Sequence, residues 1–121
     1  MRHLFRATLV LWLLATAAGA AFAHAHLKSA EPADKTTVAA PKLLRLTFSE
    51  PIELGFSSVQ ITAADKTAVA AGAVTHGSGG DAVLEVPLTG SLAAGEYVVE
   101  WKVLSKDGHK MKGSYAFTVQ P

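Results

Sequence analysis

The sequence predicts an all-β fold, a Greek-key β-sandwich or barrel of about seven strands. Three observations carry this reading. Five runs alternate apolar with polar residues, the period of a half-buried strand. Turn-forming Gly, Pro, Asp and Ser separate those runs at fairly regular spacing. No stretch long enough for a stable helix carries an apolar stripe at helical spacing.

The first 23 of the 121 residues read as a cleavable signal peptide rather than as part of the fold. Arg2 and Arg6 charge the start, 7–20 are apolar, and Ala21-Phe22-Ala23 ends the run with the small residues that signal peptidase requires. The apolar run falls short of the roughly 18–20 residues that span a bilayer, so a retained anchor is disfavoured. No cysteine follows, which excludes lipid attachment there. The expected organisation is therefore a leader at 1–23 and one domain at 24–121.

The strands follow in order. In "LLRLTFS", Leu44, Leu46 and Phe48 face one way, Arg45 and Thr47 the other. "SSVQITA" repeats the alternation with Val59 and Ile61. "DAVLEVPL" sets Leu84 and Val86 on one face, though Val83 blurs the pattern. "GEYVVEWKVL" is the clearest, with Tyr97, Val99, Trp101 and Val103 set against Glu96, Glu100 and Lys102. "GSYAFTV" closes with Tyr115, Phe117 and Val119. Each run is rich in β-branched and aromatic residues, which suit a pleated surface. The aromatics on these inward positions are assigned to the core rather than to a cofactor. Between the runs lie "EPADKT", "SEP", "THGSGGD", "TGSLAAGE" and "SKDGHKMKG" as turns. Ala-rich "KTAVAAGAVTH" has helical propensity, but Gly72 and its β-branched residues point to a strand or an irregular crossing.

Composition narrows function by exclusion. Losing Arg2 and Arg6 from eleven basic residues leaves nine against ten acidic, so the processed chain is near −1. No basic patch interleaves with aromatics, which gives no sign of a nucleic-acid partner. The leader once removed, no stable membrane insertion is expected. The absence of cysteine excludes a disulfide scaffold, a thiolate metal site and thiol catalysis. "GSGG" is too flexible for a nucleophile elbow, and no phosphate-binding glycine loop occurs.

Chemistry gathers at the two ends of the chain. Cleavage after Ala23 makes His24 the N-terminal residue, whose free amine and imidazole Nδ1 together close a six-membered chelate ring on a metal ion. An internal histidine offers only an amide nitrogen there. In "SKDGHKMKG", Asp107 and His109 are two apart, so in an extended segment both project to the same side. Gly108 between them permits a bend. His24 amine and imidazole, His109 imidazole and an Asp107 oxygen form a three-nitrogen, one-oxygen set. Such a set suits tetragonal Cu(II), whereas zinc prefers a tetrahedron and calcium or magnesium all-oxygen sites. His26 offers a competing square plane with the amine and two deprotonated amides, but that conflicts with an edge strand beginning near Leu27. His76, in the glycine-rich "THGSGGD", reads as a plain surface residue.

These residues resemble the CopC/PcoC family of periplasmic copper-binding proteins along nearly the whole processed chain. The features are the start "HAHLKSAEPAD", the segment "LRLTFSEPI", the strand "AGEYVVEWKVLSKDGH" and the close "GSYAFTV". The resemblance implies a small sandwich of immunoglobulin-like or cupredoxin-like character that binds one Cu(II) in the periplasm. It implies His24, Asp107 and His109 as metal ligands, and a CopD-type inner-membrane copper transporter as partner. Glu50 in "FSEP" matches the family's acidic residue near the site. It is carried over as a group that orients or neutralises the terminal histidine, the alternative being a solvated turn carboxylate. Better-known members hold Cu(I) on a methionine-rich loop, whereas here Met111 is the only methionine after the leader. A Cu(II)-only protein of copper homeostasis or resistance is therefore expected, not an enzyme. Two other readings stand beside it: a copper monooxygenase using the same N-terminal chelate, and a metal-free sandwich module that binds proteins.

Overall fold

The computed structural model describes residues 26–121; the predicted leader and His24 lie outside the described residues. Seven strands form in chain order: β1 (Leu27–Glu31), β2 (Thr37–Val38), β3 (Leu43–Phe48), β4 (Ser58–Ala63), β5 (Val83–Pro87), β6 (Gly95–Leu104) and β7 (Lys110–Val119). A single 3-10 turn, Leu54–Phe56, precedes β4. The predicted all-β sandwich is what the chain adopts.

One sheet has the order β1-β3-β5 and the other β2-β7-β6-β4. Until β6 each new strand joins the opposite sheet, so among the described residues β6 and β7 are the only consecutive strands that pair. They form a hairpin ten residues long on each side, with Leu104 opposite Lys110 at its tip. β2 pairs in parallel with the far end of β7, at Thr118 and Val119.

The alternation in sequence is the alternation of burial. Leu44, Leu46 and Phe48 of β3 and Leu84 and Val86 of β5 face Ile61 of β4, Tyr97, Val99, Trp101 and Val103 of β6, and Tyr115, Phe117 and Val119 of β7. Phe48 meets Trp101 edge-on across the interior, ring centroids 5.1 Å apart. Tyr97 stacks on Phe117 at 5.7 Å. Both separations are in the favourable range for aromatic pairs. The Trp101 ring lies over Gly113, directly opposite in register, where a Cβ would collide with it.

The Ala-rich segment is the irregular crossing expected. Residues 64–82 form no strand of their own; isolated bridges join Ala71 to Leu88 and Thr75 to Glu85, along the open edge of β5. This crossing explains why Val83 broke the alternation. Gly79 packs against the Val83 side chain, so the outer face of β5 is covered there and takes an apolar residue. His76 differs from expectation: it is half-buried, and its Nδ1 lies 2.9 Å from the Val83 carbonyl oxygen. No helix among the described residues is long and apolar enough to cross a membrane.

Candidate metal centre

The tip of the β6–β7 hairpin positions Asp107 and His109. Ser105 N–H donates to the His109 carbonyl at 2.9 Å, and Gly108 N–H donates to the Ser105 carbonyl at 2.9 Å. Gly108 takes φ +95°, a left-handed value that a side chain resists. The three-residue loop is thus a turn closed by a glycine, a common hairpin form. The sequence spacing puts both side chains on one side with a bend permitted at Gly108, and the turn brings them together: His109 Nδ1 lies 3.0 Å from Asp107 Oδ1.

Ser105 holds this arrangement from below. It is only 1% exposed, a polar residue at the inner end of β6. Its hydroxyl donates to Asp107 Oδ1 and accepts the His109 backbone N–H at 3.1 Å. One buried hydroxyl therefore fixes the carboxylate and the backbone of the imidazole residue. The Ser105 hydroxyl is the largest influence and, helped less strongly by His109, holds the Asp107 carboxyl below its ordinary value of 3.8 against the opposing effect of burial. Asp107 is consequently an anion throughout the neutral range.

Glu50 reaches the same spot from the β3–β4 connection. Glu53 N–H donates to the Leu104 carbonyl at 2.8 Å, and Lys106 N–H donates to the Pro51 carbonyl at 2.9 Å. Fully buried Ile52 bridges to Ser105 and anchors the segment. The result is a cluster in which one ligand atom each from Glu50, Asp107 and His109 lie within 4.8 Å of one another. The donor set is two carboxylates and an imidazole, open to solvent at Asp107 and His109. Those donors fit a divalent metal of intermediate hardness.

The start of the described chain runs beside this cluster. His26 N–H donates to Ser49 Oγ at 2.9 Å, and Ser49 N–H donates back to the His26 carbonyl at 2.9 Å. The residue next to Ser49 is Glu50. Of the predicted site residues, Asp107, His109 and Glu50 meet, and His24 lies outside the described residues. Sequence reasoning missed Ser105. The signal was present, because Ser105 continues the inward series of Tyr97, Val99, Trp101 and Val103, and a serine in a core position asks for a partner.

Comparison with known proteins places the chain in a family. Residues 27–120 match the CopC domain. Protein YobA of Escherichia coli K12 is 42% identical over 100 residues, covering 82% of this chain and 81% of that protein. The crystal structure of CopC from Methylosinus trichosporium OB3b superposes with a TM-score of 0.74 at 38% identity, covering 81% of this chain and 95% of that one. PcoC from Escherichia coli, described as a methionine-rich copper resistance protein, superposes with a TM-score of 0.73 at 35% identity, covering 81% of this chain and all of that one. With a match across 27–120 and relatives this similar, the chain belongs to the CopC domain family.

Proposed function

We propose that this is an exported copper carrier, holding one Cu(II) in the periplasm for tolerance, storage or delivery to a CopD-type membrane transporter. The observation that carries the reading is the mutual approach of Glu50, Asp107 and His109 beside the point where the chain enters the fold at His26. Two residues of chain span at most about 7 Å. An N-terminal histidine two residues before His26 thus has the reach to bring its amine and imidazole to the cluster. Three nitrogens and the Asp107 oxygen would then hold the ion, with Glu50 close enough to orient or neutralise the terminal histidine.

Two features favour Cu(II) over other states and sites. An ionised Asp107 is a hard anionic donor, which stabilises Cu(II) against reduction and disfavours monooxygenase chemistry. Met111, the only methionine among the described residues, packs partly buried against the core and supplies no thioether cluster for Cu(I). The competing square plane through His26 would need the His26 amide deprotonated, yet that N–H is bound to Ser49 Oγ.

Intact mass of the exported protein, with and without copper, tests the leader and the stoichiometry together. The expected result is a chain beginning at His24 with one copper ion and a tetragonal, nitrogen-rich EPR spectrum. His24→Ala, Asp107→Ala and His109→Ala should each change the hyperfine pattern and weaken binding at least about a hundredfold, as loss of a direct ligand outweighs the 10–100-fold of an outer partner. A different N-terminus, or three unaltered spectra, would overturn the assignment.

A further inference from the structure

Charge is sorted along the outer face of the four-stranded sheet. On β6 the outward residues run Glu96, Val98, Glu100, Lys102 and Leu104 toward the hairpin tip. On β7 the outward residues at that tip are Lys110 and Lys112. Lys102 stands directly opposite Lys112, and its neighbour on β4 is Ser58. Like charges facing each other across strands destabilise a sheet. None of Lys102, Lys110 or Lys112 forms an ion pair among the described residues, although the processed chain has more acidic than basic residues.

An apolar hollow lies among these lysines. It measures about 510 Å³; Phe56 and Leu104 give its apolar side chains and the three lysines its rim, with core-facing Val103 and Met111 also bordering it. Phe56, on the 3-10 turn, is 76% exposed, twice as much as Leu43 at 38%, the next most exposed large apolar residue among those described. The turn contributes no buried residue, yet it is fastened to β6 because Ser57 Oγ accepts the Leu104 N–H at 3.1 Å. An aromatic ring is thereby held in solvent beside a cationic rim, the arrangement of an interface anchor flanked by steering charges.

We propose that this hollow is the docking surface for an acidic segment of a partner protein, whose apolar anchor residue enters between Phe56 and Leu104 while flanking carboxylates pair with Lys102, Lys110 and Lys112. The charge complementarity is specific in sign, because none of these lysines forms an ion pair among the described residues, although Glu100 stands on the same face as Lys102. A hollow with an apolar floor suits an inserted side chain better than a flat lipid surface. Lys110 directly follows His109, so a docked partner sits next to the metal cluster. The purpose of the surface, metal exchange with that partner, rests on the copper reading above; its existence does not.

The test uses the processed protein, with and without Cu(II), titrated by a synthetic peptide of alternating Glu and Leu and followed by amide NMR. Saturable shifts should centre on Phe56, Lys102, Leu104, Lys110 and Lys112 and weaken as salt is raised. Phe56→Ala and the double variant Lys102→Glu/Lys112→Glu should each bind the peptide about tenfold or more weakly, the scale of an interface anchor or a reversed charge pair. Lys28→Glu/Lys42→Glu, altered elsewhere on the surface, should bind as the wild type does. The copper EPR spectrum should be the same in all of them. Peptide binding that saturates here in a protein that takes up no copper would retain the surface and overturn the copper reading. Shifts spread equally over Lys28 and Lys42, or no saturable shift, would overturn the surface. So would phosphatidylglycerol vesicles that perturb these residues when the peptide does not, since that result assigns the face to a membrane.

Discussion

Two connections in this sandwich do opposite work. The turn at 105–109 is as short as a hairpin allows and is closed by its own backbone hydrogen bonds, with a buried hydroxyl beneath it. The crossing at 64–82 is long, irregular and tied to the edge of β5 by single bridges. Both contain glycine and a histidine. In the turn the histidine is half-exposed beside a carboxylate, whereas in the crossing His76 is tied to a backbone carbonyl. A residue able to ligate becomes a site only where the chain holds it against a second such residue. The crossing covers an edge strand, and that is a structural task.

Ser105→Ala gives the largest effect that separates the two. It leaves every proposed ligand in place but removes the hydroxyl that orients Asp107 and caps the His109 N–H. Copper affinity should fall about 10–100-fold, the usual cost of losing a partner that orients a ligand. Thermal stability should fall by about 1 kcal/mol. Competition with a copper chelator measures the first and denaturant unfolding the second. Unchanged affinity would mean that the turn alone orients the carboxylate.

Glycine substitutions sharpen the contrast at smaller cost. At Gly72 in the crossing an added Cβ would stand 2.7 Å from the Pro87 side chain, so Gly72→Ala should destabilise by about 1–3 kcal/mol through overpacking while copper affinity stays constant. At Gly108 nothing crowds a new Cβ, and the penalty comes from φ alone. Gly108→Ala should cost about 1–2 kcal/mol and also weaken copper binding, because the turn is what brings Asp107 to His109. If Gly72→Ala loses copper as readily as Gly108→Ala does, the crossing is not a mere cover.

The sandwich was legible because its inner face demands every second residue. The five alternating runs became β3 to β7, and the aromatic positions named as core are buried. β2 was illegible: two residues carry no period, and Thr37 and Val38 are extended because they pair in parallel with the end of β7. The 3-10 turn at Leu54–Phe56 likewise has no periodic signature and depends on fastening to Leu104. Asp107 and His109 were readable as a local triplet around Gly108. That Glu50 meets them follows from the pairing of 51–53 with 104–106, a contact between distant segments that no local pattern reports. His76 was misjudged and Val83 was left an unexplained break in the alternation for one reason: only the folded crossing shows what covers the outside of β5.

The smallest effect lies in the titration of Asp107 in the metal-free protein. The Ser105 hydroxyl is the main cause of its depressed pKa, ahead of the bond from His109. A depressed carboxylate contributes stability above its unfolded value and loses it as pH falls through the lower, folded value. That loss therefore belongs below the ordinary 3.8, more acidic than the pH near which histidine imidazoles commonly gain protons, about 6.5. Ser105→Ala should move the Asp107 carboxyl upward toward 3.8, read by carbon NMR of the side-chain carboxyl. Replacing Asp65 in the 64–82 crossing with Ala, which removes the acceptor of the Thr67 N–H, should leave that midpoint untouched. An Asp107 midpoint indifferent to Ser105 would assign the depression to His109 instead. The buried serine would then be a partner of the turn backbone, not of the carboxylate that it touches.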